Sequence, residues 1–82
     1  MITIYSKANC PHCVNAKALL TSYDIDYNDV RIDEDDQARN FVLGEGHKSV
    51  PQIYVDENYF GGFSELTNIS REQLLERVGE WL

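Results

Sequence analysis

No run of more than three apolar residues occurs anywhere in this 82-residue sequence. A helix that crosses a bilayer needs about 20 apolar residues in succession, so no membrane span is expected. The opening Met1-Ile2-Thr3-Ile4-Tyr5-Ser6-Lys7 lacks the basic start and continuous apolar stretch of a secretory leader, and a soluble, cytoplasmic protein is the expectation. Basic residues are scarce: seven Lys and Arg stand against fourteen Asp and Glu, a net charge of −7. That balance repels phosphate backbones and anionic lipid alike, which argues against nucleic-acid and membrane partners. Cysteine is limited to Cys10 and Cys13, and two cysteines three positions apart cannot form the multi-bridge framework of a small secreted scaffold. Reactive chemistry or metal binding remains for them. No repeat, low-complexity tract or Pro/Gly/Ser-rich linker divides the chain, so residues 1–82 are expected to form a single domain.

What is present suits a folded domain, with 43% apolar residues and an ordinary 26% charged share. The charges are unevenly spread. Residues 1–23 carry Lys7 and Lys17 and no acid, whereas residues 24–36 hold seven acids and one Arg. Both cysteines therefore lie in a cationic region of an anionic protein.

Ile2-Thr3-Ile4-Tyr5 alternates and reads as a first strand, followed by the polar turn Ser6-Lys7-Ala8-Asn9. Pro11 suits the first helical position, and Cys13, Ala16, Leu20 and Tyr23 form one stripe of a helix from about Pro11 to Tyr23, ended by Asp24 to Asp26. Tyr27 to Ile32 reads as a second strand in which Asp29 breaks the alternation. A second helix follows, with Asp33 as its cap, Ala38, Phe41 and Val42 as its apolar face and Gly44 at its C-terminal cap. Gly46-His47-Lys48-Ser49 is a loop. Gln52 to Val55 and Asn58 to Phe60 flank Asp56-Glu57 as a hairpin with Asn58 suited to a left-handed turn, and Gly61-Gly62 ends it. Ser70 to Gln73 forms a capping box before Leu74, Leu75, Val78, Trp81 and Leu82, the apolar face of a final helix. Tyr5, Tyr54 and Phe41 are expected in the core. The order βαβαββα gives a mixed four-stranded sheet with three helices on its two faces, an α/β fold whose reactive edge is the handover from first strand to first helix.

Cys10 stands at the start of that helix, where free N–H groups and the positive dipole end favour a thiolate, and Lys7 adds a cation three residues upstream. A lowered thiol pKa follows. Cys13 lies one turn further on and faces the core, so an exposed Cys10 attacks and a protected Cys13 resolves. Two other uses of the pair are a short structural disulfide and a zinc site completed by His12 or His47. The first removes little chain entropy for so small a loop, and the second lacks a further Cys pair. A C-x-x-C between a strand and a helix favours redox chemistry. His12 is expected to be exposed beside the sulfurs and His47 to be an ordinary loop residue.

Tyr5-Ser6-Lys7 before Cys10-Pro11-His12-Cys13, then Ser49-Val50-Pro51-Gln52-Ile53-Tyr54, then Gly61-Gly62-Phe63, resembles a glutaredoxin over essentially the whole chain. The resemblance implies a thioredoxin-like fold and glutathione as the reducing co-substrate, with no permanently bound cofactor and no metal. It makes Cys10 the nucleophile and Cys13 the resolving thiol, supported by Lys7, Pro11, His12 and a cis Pro51. It also implies a glutathione site in which the Val50 backbone, next to Pro51, pairs with the ligand as a short strand. In that site Lys7 meets a carboxylate, and the N–H groups of Gly62, Phe63 and Ser64 hold the γ-glutamyl carboxylate. Where relatives commonly carry two acids, this chain has Ser64-Glu65, leaving one carboxylate for the ligand's ammonium group. Expected partners are glutathione and disulfide-containing proteins, ribonucleotide reductase among them by family analogy, and the chain itself is expected to be a monomer. The alternatives are a glutaredoxin-like donor to ribonucleotide reductase recharged by thioredoxin reductase, and an iron–sulfur or zinc carrier.

Overall fold

The computed structural model describes residues 1–79. Its sheet has the order β2-β1-β3-β4, built from β1 (Ile2–Ser6), β2 (Tyr27–Arg31), β3 (Gln52–Val55) and β4 (Asn58–Gly61). β1 runs parallel to β2, with Ile2 opposite Tyr27, and antiparallel to β3, with Tyr5 opposite Gln52. β4 closes the hairpin on β3. Four helices accompany the sheet: α1 (Pro11–Ser22), α2 (Asp36–Gly44), α3 (Phe63–Thr67) and α4 (Arg71–Gly79). The sequence pattern predicts three, and the additional helix is α3, one short turn whose only buried residue is Leu66. A segment this short carries too few apolar positions to show a period.

Alternation along β1 and β3 sends Ile2, Ile4, Ile53 and Val55 to one face, where they pack with Ala16 and Leu20 of α1, Leu66 of α3 and Leu74 of α4. Ile4, Leu20, Ile53, Leu66 and Leu74 are wholly buried, and each such side chain contributes about 1.5–3 kcal/mol of transfer free energy. The opposite face carries Tyr5 and Tyr54, whose rings lie 5.6 Å apart and each 5.5 Å from Phe41 of α2. Helices thus cover both faces. Tyr54 is buried as expected, while Phe41 stays 42% exposed because α2 covers only part of this face. In α4 the Ser70 hydroxyl accepts from the Gln73 N–H and the Gln73 side chain accepts from the Ser70 N–H, the reciprocal cap expected of this Ser and Gln. Leu75 is partly exposed, and Trp81 and Leu82 lie outside the described residues.

Three local expectations are corrected by side-chain chemistry. Asp35, not Asp33, caps α2, accepting from the Ala38 N–H at 3.0 Å. Asp33 instead takes two hydrogen bonds from Arg31, at 2.8 and 2.7 Å, and one from the Ala8 N–H at 3.1 Å. Gly44 is the last residue of α2 rather than its cap, which is Glu45, and the left-handed position falls on Gly46 at φ 86°. In the hairpin the left-handed residue is Asp56, at φ 55°, not Asn58. Asp tolerates that region for the same reason as Asn, a short polar side chain that bonds locally.

The residue that disturbs the β2 pattern also has a physical role. Asp29 pairs with Ile4 in the sheet and so faces α1, where it accepts from the buried Ser6 hydroxyl at 2.5 Å and from Lys17 at 2.9 Å. Burial works against the Asp29 carboxylate, but Ser6 and Lys17 together hold its pKa below the ordinary value. Arg31, with the Ala8 N–H, holds Asp33 well below the carboxylate range. Both groups bind a proton more readily in the unfolded chain, so their stabilisation is complete above the unfolded value near pH 4 and is lost as pH falls through the folded values. Urea titrations from pH 7 to pH 2 should show stability level above about pH 5 and declining below about pH 4, with a smaller decline in Asp29→Asn. An unchanged acid decline in that variant would remove Asp29 from the account.

Candidate active site

Cys10 closes the loop after β1 and is the N-cap of α1, with Pro11 at the first helical position. Its extended backbone (φ −119°) follows Asn9 at φ 57°, a left-handed conformation that Asn accepts more readily than a β-branched residue. The Cys13 N–H donates to Cys10 Sγ at 3.1 Å, so the sulfur takes the place that a Ser or Asp oxygen fills in an ordinary cap. One orphan N–H of the helix is thereby aimed at a sulfur that would carry negative charge as a thiolate. The two sulfurs are joined as a disulfide, with Cα atoms 5.2 Å apart.

Cys10 is 8% exposed and Cys13 1%. The expected asymmetry is present, but Cys10 is largely covered rather than open. Its sulfur is held between the first turn of α1 and the Val50 carbonyl oxygen, 3.8 Å away. The Val50–Pro51 bond is cis, as the resemblance implied, and the backbone before Pro51 lies beside the sulfurs.

Lys7 is exposed and lines a cavity of about 110 Å³ together with Arg39, His47, Lys48, Ser49 and Val50. The other four basic residues are occupied: Lys17 by Asp29, Arg31 by Asp33 and Glu34, Arg71 by the Tyr23 carbonyl, and Arg77 over the Phe60 ring. Among the described residues, the side chains of Lys7, Arg39 and Lys48 have no such partner, and all three line this one cavity. An anion entering this cavity at Val50 therefore meets cations not already neutralised. Neither Arg39 nor Lys48 is among the site residues expected from the sequence. Lys48 carries a signal in standing two residues before Val50, whereas Arg39 reaches the site only through the packing of α2.

The glycine pair is dictated by close approach. A Cβ on Gly62 would lie 3.2 Å from the Pro51 carbonyl oxygen, and one on Gly61, at φ 150°, would collide with the Glu65 side chain. The Gly62 N–H donates to Glu65 Oε1 at 2.6 Å. Gly62 N–H is therefore taken from inside the chain, and the expected carboxylate turn narrows to Phe63 and Ser64, whose N–H groups lie in the unpaired first turn of α3. Glu65, the one acid expected to meet the ligand's ammonium group, has one oxygen engaged in the same bond. His12 is exposed and its ring stacks on Phe63, centroids 5.1 Å apart, so the dipeptide between the cysteines touches this turn. His47 departs from the plain loop role expected of it, since its Nε2 lies 2.9 Å from the Tyr54 hydroxyl. Among the described residues no three His, Cys, Asp or Glu side chains gather in a way that could hold a metal ion.

A disulfide-bonded cysteine pair capping a helix after the first strand of a β2-β1-β3-β4 sheet, with a cis-proline facing it, has close counterparts among known proteins. The glutaredoxin family model matches residues 2–60. The chain belongs to the glutaredoxin family. It is 35% identical over 82 residues to glutaredoxin 1 of Rickettsia prowazekii, covering 96% of this chain and 86% of that protein. It is 36% identical over 66 residues to glutaredoxin 3 of Escherichia coli, covering 79% and 80% of the two chains. The solution structure of a glutaredoxin from Brucella melitensis superposes with a TM-score of 0.75 at 27% identity, over 95% of this chain and 89% of that one. The fold is thus thioredoxin-like, and thiol–disulfide exchange is the chemistry of this glutaredoxin's cysteine pair.

His12 provides a test of how the helix end is tuned. An imidazole or imidazolium beside Cys10 favours its thiolate, hence the reduced form, and so makes the pair a stronger oxidant. In glutathione redox buffers His12→Tyr should give a more negative potential for Cys10–Cys13, by on the order of 10–30 mV. An equal or more positive potential in the variant would show that His12 does not tune the pair.

Proposed function

We propose that this glutaredoxin is a glutathione-dependent dithiol oxidoreductase that reduces protein disulfides and glutathione mixed disulfides. The observation that carries the reading is the convergence of Lys7, Arg39 and Lys48, unpaired among the described residues, on the cavity lined by Val50, whose carbonyl oxygen lies 3.8 Å from Cys10 Sγ. On a glutathionylated protein, the Cys10 thiolate attacks the glutathione sulfur, the protein thiolate leaves, and Cys10 carries glutathione. A second glutathione thiolate then attacks that sulfur, releasing oxidised glutathione and the Cys10 thiolate. On a protein disulfide, Cys10 forms a mixed disulfide with the substrate, and the Cys13 thiolate attacks Cys10 Sγ and expels the substrate's second thiolate. This leaves the Cys10–Cys13 disulfide, which two glutathiones reduce.

In this reading Lys7, Arg39 and Lys48 serve the glycyl carboxylate, the Val50 backbone pairs with the cysteinyl backbone, and Phe63 and Ser64 N–H groups hold the γ-glutamyl carboxylate. Glutathione is a co-substrate, not a resident cofactor. A reducing compartment such as the cytoplasm suits a pair that must return to the dithiol after each cycle. The acceptors are disulfide-containing proteins, with ribonucleotide reductase one of the class.

One observation favours a second donor. Glu65 already binds the Gly62 N–H, which removes a ligand donor and half a carboxylate from the γ-glutamyl end and suits a pair recharged by thioredoxin reductase. Turnover of a glutathionylated peptide with glutathione, glutathione reductase and NADPH, compared with turnover driven by thioredoxin reductase and NADPH, separates the two. Saturable turnover with the glutathione system is expected. Turnover with thioredoxin reductase alone would overturn the donor assignment, and colour with bound iron in the purified protein would favour a cluster carrier.

A further inference from the structure

The loop between α2 and β3 presents Val50 to Cys10, yet it contains no regular backbone ladder to hold it. Its side-chain hydrogen-bond partners are Gln52 and Tyr54 of the β3–β4 hairpin, and Tyr59 of the same hairpin bonds Gln52. Gln52 is 6% exposed and both ends of its amide are used: Nε2 donates to the Ser49 carbonyl at 2.9 Å, and Oε1 accepts from the Tyr59 hydroxyl at 2.6 Å. A carbonyl can only accept, so Ser49 fixes which end of the amide faces it, and the Tyr59 proton meets the oxygen. At the start of the loop the Tyr54 hydroxyl donates to Glu45 Oε1 at 3.1 Å and contacts His47 Nε2 at 2.9 Å. The phenol has one proton, and the carboxylate takes it. His47 must therefore carry its hydrogen on Nε2 and donate, giving the ordered chain His47 to Tyr54 to Glu45. Burial, followed by the Glu45 carboxylate, pushes the Tyr54 phenol up to about 12, so it remains a donor at any working pH. The two phenol rings touch, with centroids 5.3 Å apart, and the His47 ring lies 4.7 Å from that of Tyr59.

We infer that Tyr59 with Gln52, and Tyr54 with His47 and Glu45, are positioning residues that clamp the two ends of the 45–51 loop and so hold the Val50 backbone where glutathione pairs with it. This rests on the glutathione reading of Val50 and adds the device that presents it. The Tyr59 hydroxyl reaches Val50 only through Gln52 and the Ser49 carbonyl, so it touches no reacting atom. Its effect is the preorganisation of one backbone segment, whose loss weakens binding more than it slows chemistry.

The decisive variants are Tyr59→Phe, at a position 50% exposed and thus harmless to the core, and Gln52→Met, which keeps volume and removes both hydrogen bonds. Tyr5→Phe is the control, since it alters the same aromatic cluster at a hydroxyl with no side-chain hydrogen bond among the described residues. Each variant is read by ¹⁵N relaxation of the Ser49 and Val50 amides in the free protein and by steady-state turnover of a glutathionylated peptide. Both variants should lower the order of these amides; Tyr59→Phe should raise KM for the peptide about fivefold, the equivalent of one hydrogen bond, and Gln52→Met by at least as much, with kcat within about twofold. Because the two residues act in series, the double variant should be no worse than Gln52→Met alone. Unchanged amide order in both single variants, additive effects in the double, or a fall in kcat at constant KM would each overturn the clamp, as would an equal effect of Tyr5→Phe. A loss of order together with no saturable glutathione turnover in the wild type would uphold the clamp and refute the glutathione reading.

Discussion

Cys10→Ser should abolish reduction of every disulfide substrate, by several orders of magnitude, while Cys13→Ser should keep activity on glutathionylated peptide within about one order of magnitude of wild type. The difference follows from position on the helix. Cys10 Sγ receives the Cys13 N–H at 3.1 Å, and Cys10 is 8% exposed, whereas Cys13 is 1% exposed among core residues. A serine hydroxyl at position 10 caps the helix equally well, so the variant should fold with normal thermal stability and lose only the nucleophile. In the proposed mechanism Cys13 is required where an internal thiol must expel a protein substrate, and a second glutathione would replace it where the adduct is glutathione itself. Coupled assays on a glutathionylated peptide and on a protein disulfide check this. Equal loss for both variants on the glutathionylated peptide would reverse or void the assignment of nucleophile.

The second large effect concerns charge. Lys7→Glu and Lys48→Glu should each raise KM for glutathione on the order of tenfold, because reversal replaces an attraction with a repulsion at short range near a low-dielectric surface. Added salt should shrink the effect, since these side chains are exposed. Lys7→Glu should also raise the Cys10 pKa, as Lys7 is the cation nearest Cys10 in the chain, and Lys48→Glu should do so less. Glutathione titrations at about 20 mM and about 500 mM salt, with the pH dependence of alkylation, separate binding from thiolate stabilisation. A KM that either reversal leaves unmoved would take that residue out of the site.

Most of the fold is legible in the residues themselves. The period-two pattern of Ile2 to Tyr5, Pro11 after the strand, and the Ser70–Gln73 box each signal a local geometry that the chain adopts. Tertiary partners decide what is not legible. Asp33 and Asp35 are chemically equal as caps, and Asp33 is drawn away by Arg31 and the Ala8 N–H. Helix α3 is too short to show a period, and the stacking of the Phe63 ring on His12 emerges only in the fold. The cysteine pair is visible in the sequence because its chemistry depends on local spacing, whereas Val50-Pro51 is picked out only by the resemblance to glutaredoxins. Arg39, Tyr59 and the engagement of Glu65 with Gly62 depend on segments brought together by folding, which no local pattern encodes.

The most direct test of the account is the pH dependence of thiol alkylation in the fully reduced protein, with peptide mapping to assign each adduct. A sulfur that caps a helix and receives an N–H should be thiolate at neutral pH, so Cys10 should react with iodoacetamide along a titration whose midpoint lies at least about one unit below the ordinary thiol value of about 8.5. Cys13, buried in apolar surroundings, should remain unmodified over the same range. A Cys10 midpoint at or above the ordinary value, or preferential alkylation of Cys13, would contradict the central claim that the helix end makes Cys10 the nucleophile.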